Sequence, residues 1–296
     1  CNLTDKLKLK CGNIVEIEPD AFKNFRTRRI RILRLQIKGF KFGELITIKR
    51  KHSSLFEPLN EHLEELNVIC NLECKFNFLK HLKHLKKLRL HIKMRNPKLG
   101  MPIFNQVNNQ LTHLDLSGSF ALQISDKTMF NDLKCLKHLD LSEVTLNANV
   151  LPDLFSELKQ LDTLKLIRTI LWPAEDSFIH LANLKELHFV CITIREESLN
   201  ILAPLKCLQK LVMGETRVFN YDALRQVKDL RDLKLHHCLR IVIDKNFFNN
   251  HSNLESLDLD ASGPISSTSD KCWIDLKALA NLNSLKSLNL SDANLN

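Results

Sequence analysis

LTHLDLSGS at 111–119 and LKHLDLSEV at 136–144 repeat one pattern twenty-five residues apart. Each is built on a six-residue frame, LxxLxL, and the frame recurs along the chain: LEELNV at 63, LKKLRL at 85, LDTLKL at 161, LKELHF at 184, LQKLVM at 208, LRDLKL at 230, LESLDL at 254 and LKSLNL at 285. IRILRL at 30 and TDKLKL at 4 fit it more weakly, which makes twelve starts. Most successive starts lie 22 to 26 residues apart, and the intervals of 33 (30 to 63) and 31 (254 to 285) mark insertions. A fixed period of this length is the signature of a solenoid, in which each unit buries its apolar face only against the next.

Within a frame, L-x-L has the period of a strand buried on one side. Stacking one such strand per coil predicts an α/β solenoid of about 12 coils, with a leucine core and a parallel sheet whose x positions look into a concavity. FNDL (130–133), FSEL (155–158), FIHL (178–181) and LAPL (202–205) read as short helical turns on the return path, with their apolar residues packed beneath the sheet. Residues 1–29 read as a cap and first coil, and 30–296 as one solenoid domain that is expected to continue past Asn296, since the core face of its last coil is uncovered.

Composition removes other classes. Leucine supplies 56 of 296 residues and glycine only seven, none at GxGxxG or GxxxxGK[ST] spacing, so dinucleotide and P-loop chemistry are out. No apolar run approaches the roughly 18 to 20 residues of a bilayer span. CNLTDKLKLK lacks an apolar signal core, so a leader is absent or already removed. The net charge of +9 is uneven: residues 1–100 carry 23 Lys/Arg against 10 Asp/Glu, and the remainder 20 against 24. Arg26, Arg28, Arg29, Arg31, Lys49, Arg50 and Lys51 form a candidate polyanion-binding patch.

The repeat resembles that of the leucine-rich repeat family over nearly the whole chain. LDLSEVTL (139–146) is similar to the family's LxLxxNxL segment, and IEPDAFKNF (17–25) to a turn of its extracellular subclass. The resemblance implies a horseshoe with a concave ligand-binding face. It departs at the family's inward Asn, replaced here by Ser119, Val144, Thr169, Ile192, Thr216, Cys238, Ser262 and Ala293. Cys1 and Cys11 resemble an N-terminal cap disulfide of secreted members. Cys135 and Cys207 hold one slot three coils apart, about 14 Å, too far to bridge, and read as buried small hydrophobes. Sequons at Asn2, Asn250 and Asn289 join the cap in favouring an extracellular chain, with unpaired thiols weighing against it.

Catalysis finds little footing. His, Asp and Ser of HLDLS share a strand face twice over, but no nucleophile elbow or oxyanion donor accompanies them. His81 and His84, and His236, His237 and Cys238, lack a second ligand pair at zinc spacing, so neither metal nor cofactor is expected.

The residues inside successive L-x-L segments run Arg89, Asp115, Asp140, Lys165, His188, Val212, Lys234, Asp258 and Asn289. Arg89 with Asp115, and Asp140 with Lys165, are candidates for mutual neutralisation across strands. Ile167 and Val190, in the next outward column, join Val212 in an apolar patch rimmed by Lys165, Glu186, His188 and Lys210, which is the candidate contact site. The resulting expectation is a non-catalytic extracellular ectodomain that binds a protein or glycan, similar to those of Toll-like receptors and secreted innate-immune proteins. A cytosolic adaptor, such as a ubiquitin-ligase substrate receptor, and polyanion binding are the rivals.

Overall fold

Alternation along a strand turns the two leucines of L-x-L to one side and the residue between them to the other. The computed structural model describes residues 6–11, 22–25, 30–37, 57–70, 79, 81–92, 104, 110–120, 122–171, 173–190, 200–215, 221–237, 241–260 and 273–295. They fall in two compact units, Cys1–Thr145 with Ser156–Gln160, and Leu146–Phe155 with Leu161–Asn296. Among the described residues no helix is long and apolar enough to cross a membrane.

In the first unit β1 (Lys6–Cys11), β2 (Ile32–Ile37), β3 (Glu65–Cys70), β4 (Lys87–Ile92), β5 (His113–Asp115) and β7 (His138–Asp140) pair in parallel in that order. β6 (Gln123–Ile124) and β8 (Thr145–Leu146) are two-residue strands, and Thr145 N–H donates to Leu122 O at 2.9 Å. The second unit holds a short helix α1 (Leu151–Leu154) and parallel strands β9 (Thr163–Ile167), β10 (Glu186–Val190), β11 (Lys210–Gly214), β12 (Asp232–His236), β14 (Ser256–Asp258) and β16 (Ser287–Asn289). β13 (Val242–Ile243), β15 (Trp273–Ile274) and β17 (Asn294–Leu295) form a smaller parallel sheet there. Each sheet neighbour comes from the next coil, which makes the fold a parallel β-solenoid.

Register follows the frame: Leu187 stands between Leu164 and Leu211, and all three are fully buried. Burying one such side chain contributes about 1.5–3 kcal/mol, and the frame repeats this in every coil. The carbonyl just after the first frame leucine accepts two N–H groups from the next coil, as Glu64 O does from Lys86 and Lys87 (2.8 and 2.9 Å) and Asp162 O from Lys185 and Glu186 (2.9 and 2.8 Å). The return segments form single turns closed by i to i+3 bonds, Leu133 N–H to Phe130 O and Leu181 N–H to Phe178 O, both 2.9 Å. Phe178, fully buried, touches Phe155 at 6.4 Å and Phe189 at 6.0 Å between ring centroids.

Strand length is set by one side chain. β5, β7, β14 and β16 stop after three residues, and in each the last residue, which points outward, is Asp or Asn accepting the N–H two positions on: Asp115 from Ser117 (2.9 Å), Asp140 from Ser142 (3.0 Å), Asp258 from Asp260 (3.3 Å) and Asn289 from Ser291 (3.1 Å). This Asx turn offers the backbone an alternative to the ladder. Where the same position is Lys165, His188, Val212 or Lys234, the strand runs five residues. Asn67 obeys the bond rather than the residue type. Its Oδ1 has no hydrogen-bond partner among the described residues, β-branched Ile69 follows two positions on, and β3 runs on to Cys70. Seven positions after six of the twelve frame starts the chain turns left-handed, at Gly118 (φ 73°), Glu143 (65°), Arg168 (55°), Glu215 (51°), His237 (51°) and Asp292 (58°).

At the former Asn slot, Ser119, Val144 and Thr169 are buried, and Ser119 Oγ donates to Leu90 O at 3.4 Å, so a hydroxyl replaces the amide there. Ala293 is half-buried, and Ile192, Thr216, Cys238 and Ser262 lie outside the described residues. The cysteine expectation needs correction. Cys135 is half-buried, Cys207 is exposed, and both are free thiols. Their slot is the turn just before the frame, where Lys83–His84 and Asn183 are exposed in other coils; the first inward position is the leucine that follows.

Candidate functional site

Four consecutive five-residue strands, β9 to β12, give the second unit its broadest sheet face. Their outward side chains stand in three columns: Thr163, Glu186, Lys210 and Asp232; Lys165, His188, Val212 and Lys234; then Ile167, Val190, Gly214 and His236. Ile167, Val190 and Val212, expected as an exposed patch, stand on the outward face and are half-buried. Gly214 is buried beneath its neighbours, and a Cβ there would come within 3.0 Å of His236 O and 3.4 Å of Val190 Cγ1.

The rim is ordered by charge. Glu186 Oε1 lies 2.7 Å from His188 Nε2 and 3.1 Å from Lys210 Nζ, and Lys210 reaches Asp232 at 3.9 Å. Partial burial pushes the Glu186 carboxyl upward, but the hydrogen bonds from His188 and Lys210 outweigh it and hold it below the usual carboxylate range. Asp258 accepts from Asn289 Nδ2 at 3.0 Å and faces His236 at 3.8 Å. Lys165 and Lys234 form no ion pair or hydrogen bond among the described residues.

In the first unit the polar groups of HLDLS are engaged with other partners. Asp115 is engaged by Ser117 N–H and by Arg89 Nε at 3.0 Å, the neutralising pair expected from sequence. His113 shares a 2.8 Å hydrogen bond with Thr112 Oγ1 and stacks on His138 with centroids 4.2 Å apart. Burial, and then the neighbouring imidazole, push the His113 pKa down to about 4.

Other expected residues are dispersed. Arg31 pairs with Glu64 at 2.8 Å, while Arg26, Arg28, Arg29, Lys49, Arg50 and Lys51 lie outside the described residues, as do Cys1 and Asn2. Cys11 closes β1, with its side chain outside the description. Asn250 is exposed; Asn289 is half-buried, its Oδ1 accepting from Ser291 Oγ at 2.6 Å. His81 is half-buried and His84 exposed, and no group of three potential metal ligands converges among the described residues. Sequence reasoning missed the imidazole stack, which the identical register of the two HLDLS frames could have revealed. It also missed an exposed apolar pair on the smaller sheet, Val242 (64%) beside Trp273 (42%).

No protein-family model and no curated relative matches the sequence. Solved structures do. An internalin (inlF) from Listeria monocytogenes superposes with a TM-score of 0.65 at 18% identity, over 99% of this chain and 82% of that one. The TLR13–ssRNA13 complex gives 0.63 at 20% identity, over 89% and 38%. The Drosophila Toll–Spatzle complex gives 0.55 at 15%, over 95% and 41%. The chain thus spans less than half of the Toll and TLR13 chains it resembles. At these identities the likeness concerns architecture, and by that architecture the chain has the parallel β-solenoid fold of leucine-rich repeat proteins.

Proposed function

We propose that the chain is a non-catalytic recognition module, part of an extracellular horseshoe of about twelve coils with residues 1–29 as its cap, which docks a protein ligand on its concave face. The observation that carries this reading is the half-buried trio Ile167, Val190 and Val212 in the middle of an otherwise polar sheet face, rimmed by Lys165, Glu186, His188 and Lys210. Side chains on a stacked, hydrogen-bonded scaffold lose little freedom on docking. The Toll and TLR13 resemblances and the exposed sequon at Asn250 support an innate-immune ectodomain. Val190→Asp should abolish ligand capture by the secreted chain while leaving its unfolding midpoint within error of the parent; unchanged capture refutes the site. A cytosolic adaptor is the second reading, favoured by the exposed free thiol of Cys207. Intact-mass measurement with and without reduction and deglycosylation separates the two: a glycan at Asn250 or a Cys1–Cys11 bridge supports the first, nine reduced thiols and no glycan the second.

A further inference from the structure

Resting on that contact surface, we infer that its partner is a protein segment in extended conformation with carboxylates on either side of an apolar residue, in the pattern acidic–x–apolar–x–acidic. Lys165 and Lys234 occupy one outward column, on β9 and β12, three strand spacings or about 14 Å apart. Between them stand His188 and Val212, with Ile167 and Val190 alongside. The carboxylates of these strands are engaged by other groups: Glu186 by His188 and Lys210, and Asp232 by Lys210 at 3.9 Å. Asp258, the register neighbour of Lys234, is engaged by Asn289 Nδ2 and by its own turn. Lys165 and Lys234 are therefore the ammonium groups of this face without a carboxylate partner among the described residues, and they bracket its apolar centre.

Covering an uncompensated ammonium with a neutral surface carries a desolvation cost that a facing carboxylate offsets. Spacing then selects the partner's conformation. In an extended segment residues i, i+2 and i+4 share a face and span about 13–14 Å, which matches the lysine separation with one side chain left over for the apolar centre. A helix returns to the same face at about 10.5 Å (i+7) and 16.5 Å (i+11), while i+9, at about 13.5 Å, points to the opposite side. The segment runs across the strands and is read through side chains, not added to a sheet edge.

The test pans a random twelve-residue displayed peptide library on the intact chain, with Val190→Asp as counter-selection. Peptides retained by the parent and lost on Val190→Asp should carry Asp or Glu at i and i+4 around an apolar i+2. The double variant Lys165→Glu, Lys234→Glu should retain them at least about tenfold less and enrich Lys or Arg at those two positions instead, with Lys165→Gln, Lys234→Gln falling between. Val190-dependent peptides with no acidic pair, or retention unchanged in the double variants, overturn the pattern and leave the contact surface standing. Peptides held equally by Val190→Asp, or none held by the parent, overturn both. Each variant is compared by its unfolding midpoint, and the Gln pair stands in if charge reversal disturbs folding.

Discussion

Asp140 offers the sharpest test of how one side chain shapes a coil. Its Oδ1 accepts the Ser142 N–H at 3.0 Å, ending β7 after three residues and feeding the left-handed turn at Glu143. A hydrogen bond to a charged acceptor contributes about 1.5–3 kcal/mol, reduced here because Asp140 is half-buried and water can reach the freed amide; Asp140→Ala should therefore cost about 1–2 kcal/mol. Asp140→Asn keeps the acceptor, as Asn289 does for Ser291 at 3.1 Å, and should cost no more than about 0.5 kcal/mol. Asp140→Lys should lose as much stability as Ala but lengthen the strand, since Lys165 and Lys234 occupy that position in five-residue strands. Denaturant unfolding gives the energies, and amide hydrogen exchange at Ser142 gives the local bond: faster in the Ala variant, near parental in Asn. Equal losses for Ala and Asn, or unchanged exchange in Ala, would refute the assignment of strand length to this bond.

Three further predictions concern the core and its turns. Phe178→Ala, at a fully buried ring between Phe155 and Phe189, should cost about 3–5 kcal/mol by denaturant unfolding; less than about 1 kcal/mol would mean the aromatic contacts do not hold the return path. Gly118→Ala should destabilise by about 1–2 kcal/mol by denaturant unfolding, since φ is 73° and a Cβ would lie 2.3 Å from His91 Cε1; no loss would mean the His91 ring moves aside freely. His251 is fully buried and donates through Nε2 to Leu224 O at 3.1 Å; burial lowers its pKa below 6.5, so the unfolded chain takes up a proton first and stability should fall as pH drops through about 6.5 toward the folded value. His251→Asn should flatten that part of the profile between pH 7 and pH 5, and superimposable profiles would exclude His251 as the cause.

What could be read in the chain and what could not divide along a physical line. Leu164, Leu187 and Leu211 were predictable because inward positions obey a period, and a period survives in sequence as spacing alone. The columns of the outward face followed from the same frame, so Lys165, His188 and Val212 align as expected. Exposure did not follow: Ile167, Val190 and Val212 are half-buried, which spacing does not encode. Cys135 and Cys207 were misjudged because residue type was weighed above slot. A turn before the strand exposes whatever stands there, even a residue that usually lies inside.

The Asx turns also bear on why the proposed contact surface falls on β9 to β12. Wherever Asp or Asn fills the central outward position and bonds its own turn, that side chain has a structural partner before any ligand arrives, and the strand ends too early to add a third outward residue. Four successive coils lack such a residue, at Lys165, His188, Val212 and Lys234, and each gains a further outward position at Ile167, Val190, Gly214 or His236. Coils of the first kind hold the solenoid's turns, and coils of the second kind offer surface. The distinction is visible in the letters DLS, DLD and NLS against KLI, HFV, VMG and KLH. Installing Asp at Val212 should therefore shorten β11 and remove Gly214 from the ladder, losing recognition through backbone change as well as through charge.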